Sequence, residues 1–247
     1  MYGYGGYGGY GYGGYGMGGL YGLFDPTMIL VLIGVFLSLA ASAKVQSTFA
    51  KYAKVRSMSG LTGAEAAQKI LHTAGIYDVT VQHVAGNLTD HYDPVHKVLR
   101  LSDSVFGQHS VAAIGVAAHE CGHAIQHQKN YTPLKFRSSL VPVVNFSSRF
   151  SWLLIIIGCF VGSIWIKAGI LLFTASVLFQ LVTLPVEYNA SDRALEVLDT
   201  AGIMPSSEIG GARKVLRAAG LTYVAAAAAS ILQLLRLIMI FGNRRSD

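Results

Sequence analysis

Long apolar runs set the outline of this chain. Residues 27–43 (TMILVLIGVFLSLAASA) carry no charge, and neither do residues 150–166, 168–186 and 218–235. Each is close to the roughly 20 residues needed to cross a hydrocarbon core. The pattern predicts a membrane anchor at 27–43 and a transmembrane hairpin over 151–186, turning at Lys167-Ala168-Gly169. It predicts a fourth membrane helix over 218–241, interrupted by Arg236. Residues 1–26 have no such pattern. Their repeated Gly and Tyr cannot build a core and predict a disordered tail.

The more polar part, 44–150, reads differently. Residues 62–75 (TGAEAAQKILHTAG) predict a helix, with Thr62 as N-cap and Gly75 as terminator. Residues 79–84 alternate as a strand does, NLTDHYDP (87–94) reads as a turn-rich loop, and HKVLRLS (96–102) reads as a second strand. Val111, Ile114, Gly115, Ala118, Gly122 and Ile125 then recur at three- and four-residue spacing. That is one helix face, small enough at Gly115, Ala118 and Gly122 for another helix to come close. Residues 132–149 place Lys135, Arg137 and Arg149 among apolar positions, as a basic stretch on a membrane surface does. Residues 187–201 predict a short helix broken at 202–205, and residues 206–217 begin another that runs on into the last apolar run.

The fold class that follows is a mainly α membrane protein with about four transmembrane helices and a small α+β domain. Its parts are a tail (1–26), an anchor (27–43), a polar domain (44–150), a hairpin (151–186), a helical segment (187–217) and a last membrane helix (218–241). Composition agrees: 52% of the residues are hydrophobic and 13% charged, about half the charge of a soluble domain. Lys44, Lys51, Lys54 and Arg56 follow the first run, and no Lys or Arg precedes it. The positive-inside rule therefore puts residue 44 onward in the cytoplasm of a cell-membrane protein. Ala41-Ser42-Ala43 resembles a signal-peptidase site, but without a basic segment ahead of it the run reads as an uncleaved anchor. No basic-aromatic motif points to nucleic acid. Two cysteines, Cys121 and Cys159, make no disulfide framework and read as small buried hydrophobes.

The chemistry lies in GVAAHECGHAIQHQ (115–128). HECGH matches H-E-x-x-H, and on a helix His119 and His123 stack on one face, where both can reach one metal ion. Glu120 stands beside them. Zinc lowers the pKa of a bound water to roughly 7, and a neighbouring carboxylate can take its proton. This is the chemistry of metal-assisted peptide hydrolysis, with Glu120 as general base.

A catalytic zinc site wants a third protein ligand and leaves a position for water. Gln126 and Lys129 stand where the metzincin pattern needs Gly and His, which excludes that class. His127 lies a further turn along the helix, too far round for a straight helix to wrap one ion. No Asp lies inside an apolar run after residue 150. Glu187, at the edge of an apolar run in LPVEYNASDRAL, is the better candidate, because a hairpin returns the chain to the side it left.

DHYDP, VAAHECGHAIQ and FQLVTLPVEYNASDRAL together resemble the YugP-like neutral zinc metallopeptidases of bacterial membranes, over about residues 28–240. The resemblance implies a membrane-anchored, gluzincin-like peptidase with one zinc ion held by His119, His123 and Glu187. It implies Glu120 as general base and acid, and a protein or peptide substrate near the bilayer. More distantly the chain is similar to HtpX-type and CAAX-processing peptidases, which place an aspartate four residues after the ligand glutamate. Position 191 here is Ser, so Asn189 and Asp192 are the candidates to orient His119. The oxyanion needs a donor. Tyr223, in LTYVAAA, is the candidate chosen, with His109 and Arg213 also open. The competing reading is a non-catalytic membrane scaffold with a closed structural zinc site that uses His127. A metal transporter would need ionisable residues within the spans, and Lys167 and Arg236 are cationic and near the ends.

Overall fold

A computed structural model describes residues 25–242. The tail expected over residues 1–26 falls almost wholly outside them. Nine elements follow one another: α1 (Met28–Ala53), α2 (Gly63–Thr73), β1 (Thr80–Val84), β2 (His91–Asp93), β3 (Val98–Ser102), α3 (Val111–Gln128), α4 (Thr132–Val161), α5 (Ser163–Thr200) and α6 (Ser206–Phe241). The protein is mainly helical, with one small sheet. Helices α1, α4, α5 and α6 are each long and apolar enough to cross a membrane. Their outward faces carry exposed Phe36, Phe160, Leu171 and Met239. In water such a surface would be costly, whereas in lipid it is the expected one.

The spans are longer than their apolar runs, because nothing stops the helix where hydropathy changes. Helix α1 runs ten residues past 43, to Ala53. The basic stretch 132–149 is the first half of α4, continuous with its span. The segment expected as a separate short helix from 187 is the end of α5, whose 38 residues reach about 57 Å at 1.5 Å per residue. A hydrocarbon core is about 30 Å thick, so α5 carries its last turns well beyond it.

The hairpin turns earlier than expected. Gly162 has φ +148°, a backbone region that disfavours any side chain, and it separates α4 from α5. Lys167-Ala168-Gly169 instead lies within α5, where a Cβ on Gly169 would come within 2.7 Å of the Ser151 carbonyl oxygen. Gly169 is therefore a contact point between α4 and α5. Helices α1 and α6 pack antiparallel, Gly34 against Ala229 and Tyr52 against Gly211. Arg236, the interruption in the last run, lies 3.9 Å from Asp25 at the start of α1.

The polar end is built on α2, the sheet and α3. Thr62 caps α2 as expected: its hydroxyl accepts from the Glu65 amide, and the Glu65 carboxylate accepts from the Thr62 amide at 2.8 Å. Ala66, Ala67, Ile70 and Leu71 then form one buried face. Strand order is β1-β3-β2, with β1 parallel and β2 antiparallel to β3. Strand β2 lies inside the segment read as a loop; it is too short for periodicity to reveal. Its ends are fixed by carboxylates. Asp90 accepts from the Ser102 amide and hydroxyl, and Asp93 accepts from the amides of Val95 and His96 and from Arg100. Those donors, led by the His96 amide and imidazole and then Arg100, hold the Asp93 carboxyl well below the usual carboxylate range. Leu99, Leu101, Val105 and Ile114 join the α2 face in a core that α5 and α6 close with Leu198 and Leu216. Cys121 belongs to that core, and burial pushes its thiol pKa up. Cys159 does not: it is exposed on the outer face of α4.

Candidate metal centre

Helix α3 starts at Ser110, whose side chain accepts from the Ala113 amide, and it ends past the motif at Gln128. Its small residues decide how near its neighbours come. A Cβ on Gly122 would lie 2.3 Å from the Ala190 carbonyl oxygen of α5. A Cβ on Gly115 would lie 3.3 Å from that of Ala212 on α6. Gly122 stands between the two histidines of the motif, and Ala190 lies one turn beyond Glu187. This close contact between α3 and α5 is therefore one that brings ring and carboxylate together.

His119 Nε2 lies 3.3 Å from Glu187 Oε2, and His123 Nε2 lies 3.4 Å from the same oxygen. Donor atoms of the three residues fall within 4.8 Å of one another. The two rings meet edge to face, with centroids 4.9 Å apart. Glu187 Oε2 is buried and has no hydrogen-bond partner. A buried, ionised oxygen of that kind is costly unless a cation satisfies it. The residues therefore fit a metal ion: two imidazole nitrogens and one carboxylate oxygen, a donor set that suits zinc.

The outward ring nitrogen of His123 is held in the tautomer a metal needs. Gln126 Nε2 donates to the Val186 carbonyl at 2.8 Å and to Asn189 Oδ1 at 3.0 Å. That fixes Gln126 Oε1 as an acceptor, 3.1 Å from His123 Nδ1. Neutral His123 thus carries its proton on Nδ1 and presents a lone pair at Nε2. His119 Nδ1 pairs with Ser191 Oγ at 3.1 Å, a hydroxyl able to accept from it. The partner of His119 is therefore Ser191. Asn189 is turned to Gln126 and Arg193, and Asp192 is exposed. One turn of helix separates Glu187 from Ser191, so carboxylate and hydroxyl share a face of α5.

Around the three donors opens a cavity of about 600 Å³, lined among others by Glu120, Tyr92, Arg137 and Tyr223. That size suits a small ligand or a peptide segment. Tyr223 and Glu187 both line the cavity. His109 is bound to the Gly60 carbonyl instead, and neither His109 nor Arg213 lines the cavity. His127 is not among the grouped donors; its Nδ1 pairs with the Tyr92 hydroxyl at 2.9 Å. Burial disfavours charge on His123, but the Glu187 carboxylate beside Nε2 and the charge of Glu120 outweigh it and hold its pKa above the ordinary value. The floor of the cavity therefore favours positive charge.

Besides Ser191, two contributors escaped the sequence. Arg137 was placed on the membrane surface, yet its Nη1 reaches to 3.8 Å of Glu187 Oε1 and its guanidinium lies 5.9 Å from the Phe179 ring centroid. Nothing in a basic-apolar pattern separates an arginine at lipid headgroups from one turned inward. Gln126 entered only as a departure from the metzincin pattern.

The comparisons with known proteins show the family. Residues 27–242 match a family described as "putative neutral zinc metallopeptidase". Over 212 residues the chain is 52% identical to a protein of Bacillus subtilis named "putative membrane protease YugP", covering 85% of this chain and 94% of that one. No solved structure matches.

Proposed function

The chain belongs to the neutral zinc metallopeptidase family, and from that premise we propose that it is a membrane-anchored endopeptidase with one zinc ion held by His119, His123 and Glu187. The observation that carries the reading is the convergence of two imidazole nitrogens on a buried carboxylate oxygen that has no other partner. A zinc ion there would supply Lewis acidity, polarising a carbonyl and making water acidic enough to lose a proton near neutral pH.

The chain's own residues do the rest. Glu120, next to His119 and lining the cavity, takes the proton of the attacking water and delivers it to the leaving amine. Tyr223 donates its hydroxyl to the oxygen on which charge develops. Arg137 offsets part of the Glu187 charge through Oε1, and Oε2 would hold the ion. Strand β2 pairs with β3 alone among the described strands, and its residues line the cavity. An extended substrate adds to that open edge through its backbone, which selects for an unfolded segment and little for its side chains. The basic residues that follow the apolar run of α1 support a cytoplasmic position for this end, with membrane proteins or peptides at the inner surface as the substrates.

The test is Glu120→Gln in the full-length protein. It should retain zinc and lose peptide hydrolysis by at least about a hundredfold. A variant that cleaves a responsive substrate at the wild-type rate would refute the mechanism.

A further inference from the structure

A second cavity, of about 560 Å³, lies between α1 and α6. Lys44, Lys51, Lys214 and Arg217 line it, together with Tyr52, Tyr188 and Leu221. No carboxylate lines it, and none of the four cations forms a salt bridge among the described residues. Lys51 has only the Tyr52 ring, at 5.7 Å from its centroid. Four unneutralised cations around one hollow repel one another unless an anion joins them.

The position of the cavity says which anion. Lys44 is the first charge after the apolar run of α1, and Arg217 is the last before that of α6. The two helices run antiparallel, so both runs end at this level. Tyr52 and Tyr188 sit where aromatic side chains mark a headgroup layer. Below the cations, Leu221 is 45% exposed and continues into the apolar surface of α6. The hollow therefore has a cationic rim and an apolar lower wall. We propose that it binds the headgroup of an anionic phospholipid, with the phosphate among the four cations and an acyl chain along Leu221. A free phosphate would use the rim but not the wall.

The full-length protein in an uncharged detergent is titrated with phosphatidylglycerol and with phosphatidylcholine of the same acyl chains. Native mass spectrometry reads the binding. Phosphatidylglycerol should saturate one site, and phosphatidylcholine should bind at least about tenfold more weakly. Each basic residue near an anionic headgroup contributes about fivefold in affinity. The triple variant Lys51→Gln, Lys214→Gln, Arg217→Gln should therefore weaken phosphatidylglycerol about a hundredfold. Lys69→Gln with Lys129→Gln, remote and exposed, should leave it unchanged. If the triple variant does not fold, Lys214→Gln alone is measured and should lose about fivefold. Equal binding of the two lipids overturns the proposal. So does equal loss in the remote variant, or full displacement of the lipid by inorganic phosphate.

Discussion

Gly122→Ala adds a single methyl group between the two histidines, and its consequences follow from one distance. The new Cβ would stand 2.3 Å from the Ala190 carbonyl oxygen, whereas even short carbon–oxygen contacts are about 3.3–3.6 Å. Both atoms are held by helix backbone, so no side chain can swing aside. Helices α3 and α5 must part by about 1 Å. Overpacking of this kind costs about 1–3 kcal/mol of stability. The larger effect falls on the metal, because a zinc site tolerates about 0.2 Å in its bond lengths. Glu187 rides on α5 and both histidines ride on α3, so separating the helices opens the triad. Zinc affinity, measured by chelator competition on purified protein, should fall at least about tenfold. Peptide hydrolysis should fall about a hundredfold, the usual result of a 1 Å misplacement. Gly210→Ala is the control. Nothing lies within 4 Å of a Cβ there, and the change should gain up to about 1 kcal/mol from helix propensity. A Gly122→Ala protein that binds zinc as tightly as wild type would show that the contact does not set the ligand geometry.

Other expectations rest on single interactions. Gln126→Leu leaves His123 Nδ1 without its acceptor and should weaken zinc about 10–100-fold with little change in thermal midpoint, read by chelator competition beside calorimetry. Arg137→Ala should weaken zinc by a similar factor, with Arg137→Lys recovering part of it; equal affinity in all three proteins would separate Arg137 from the site. Asp93→Asn should destabilise the metal-free protein near neutral pH. Because the folded carboxyl sits below its ordinary value of 3.8, the wild-type advantage is present above that pH. It shrinks as pH falls below 3.8 toward the folded value. Unfolding curves from pH 6 downward should show the two proteins converging in that direction, and a constant or widening gap would contradict the assignment.

The chain wrote its spans and its two histidines into its own order. Apolar runs without charge predict membrane helices because lipid offers backbone groups no partner outside the helix. H-E-x-x-H predicts a shared ion because i and i+4 meet on any helix, whatever surrounds it. Thr62, Gly75 and the two longer strands were legible for the same reason: their causes are local. The turn at Gly162 was misplaced because a charge next to a glycine is no stronger a local signal than a glycine alone. Only the packing of α4 and α5 chose between Gly162 and Gly169. Strand β2, with three residues, is held by carboxylates from its flanks and by β3, so its own pattern could not disclose it. The same holds for the residues around the metal donors. Ser191 stands beside His119, Arg137 stands beside Glu187, and Val186 and Asn189 aim Gln126 at His123, because α3, α4 and α5 converge across 50 or more positions of sequence. Periodicity names the face of a helix, but which neighbour that face meets, and which polar atom finds a partner there, is settled only when the helices close on one another.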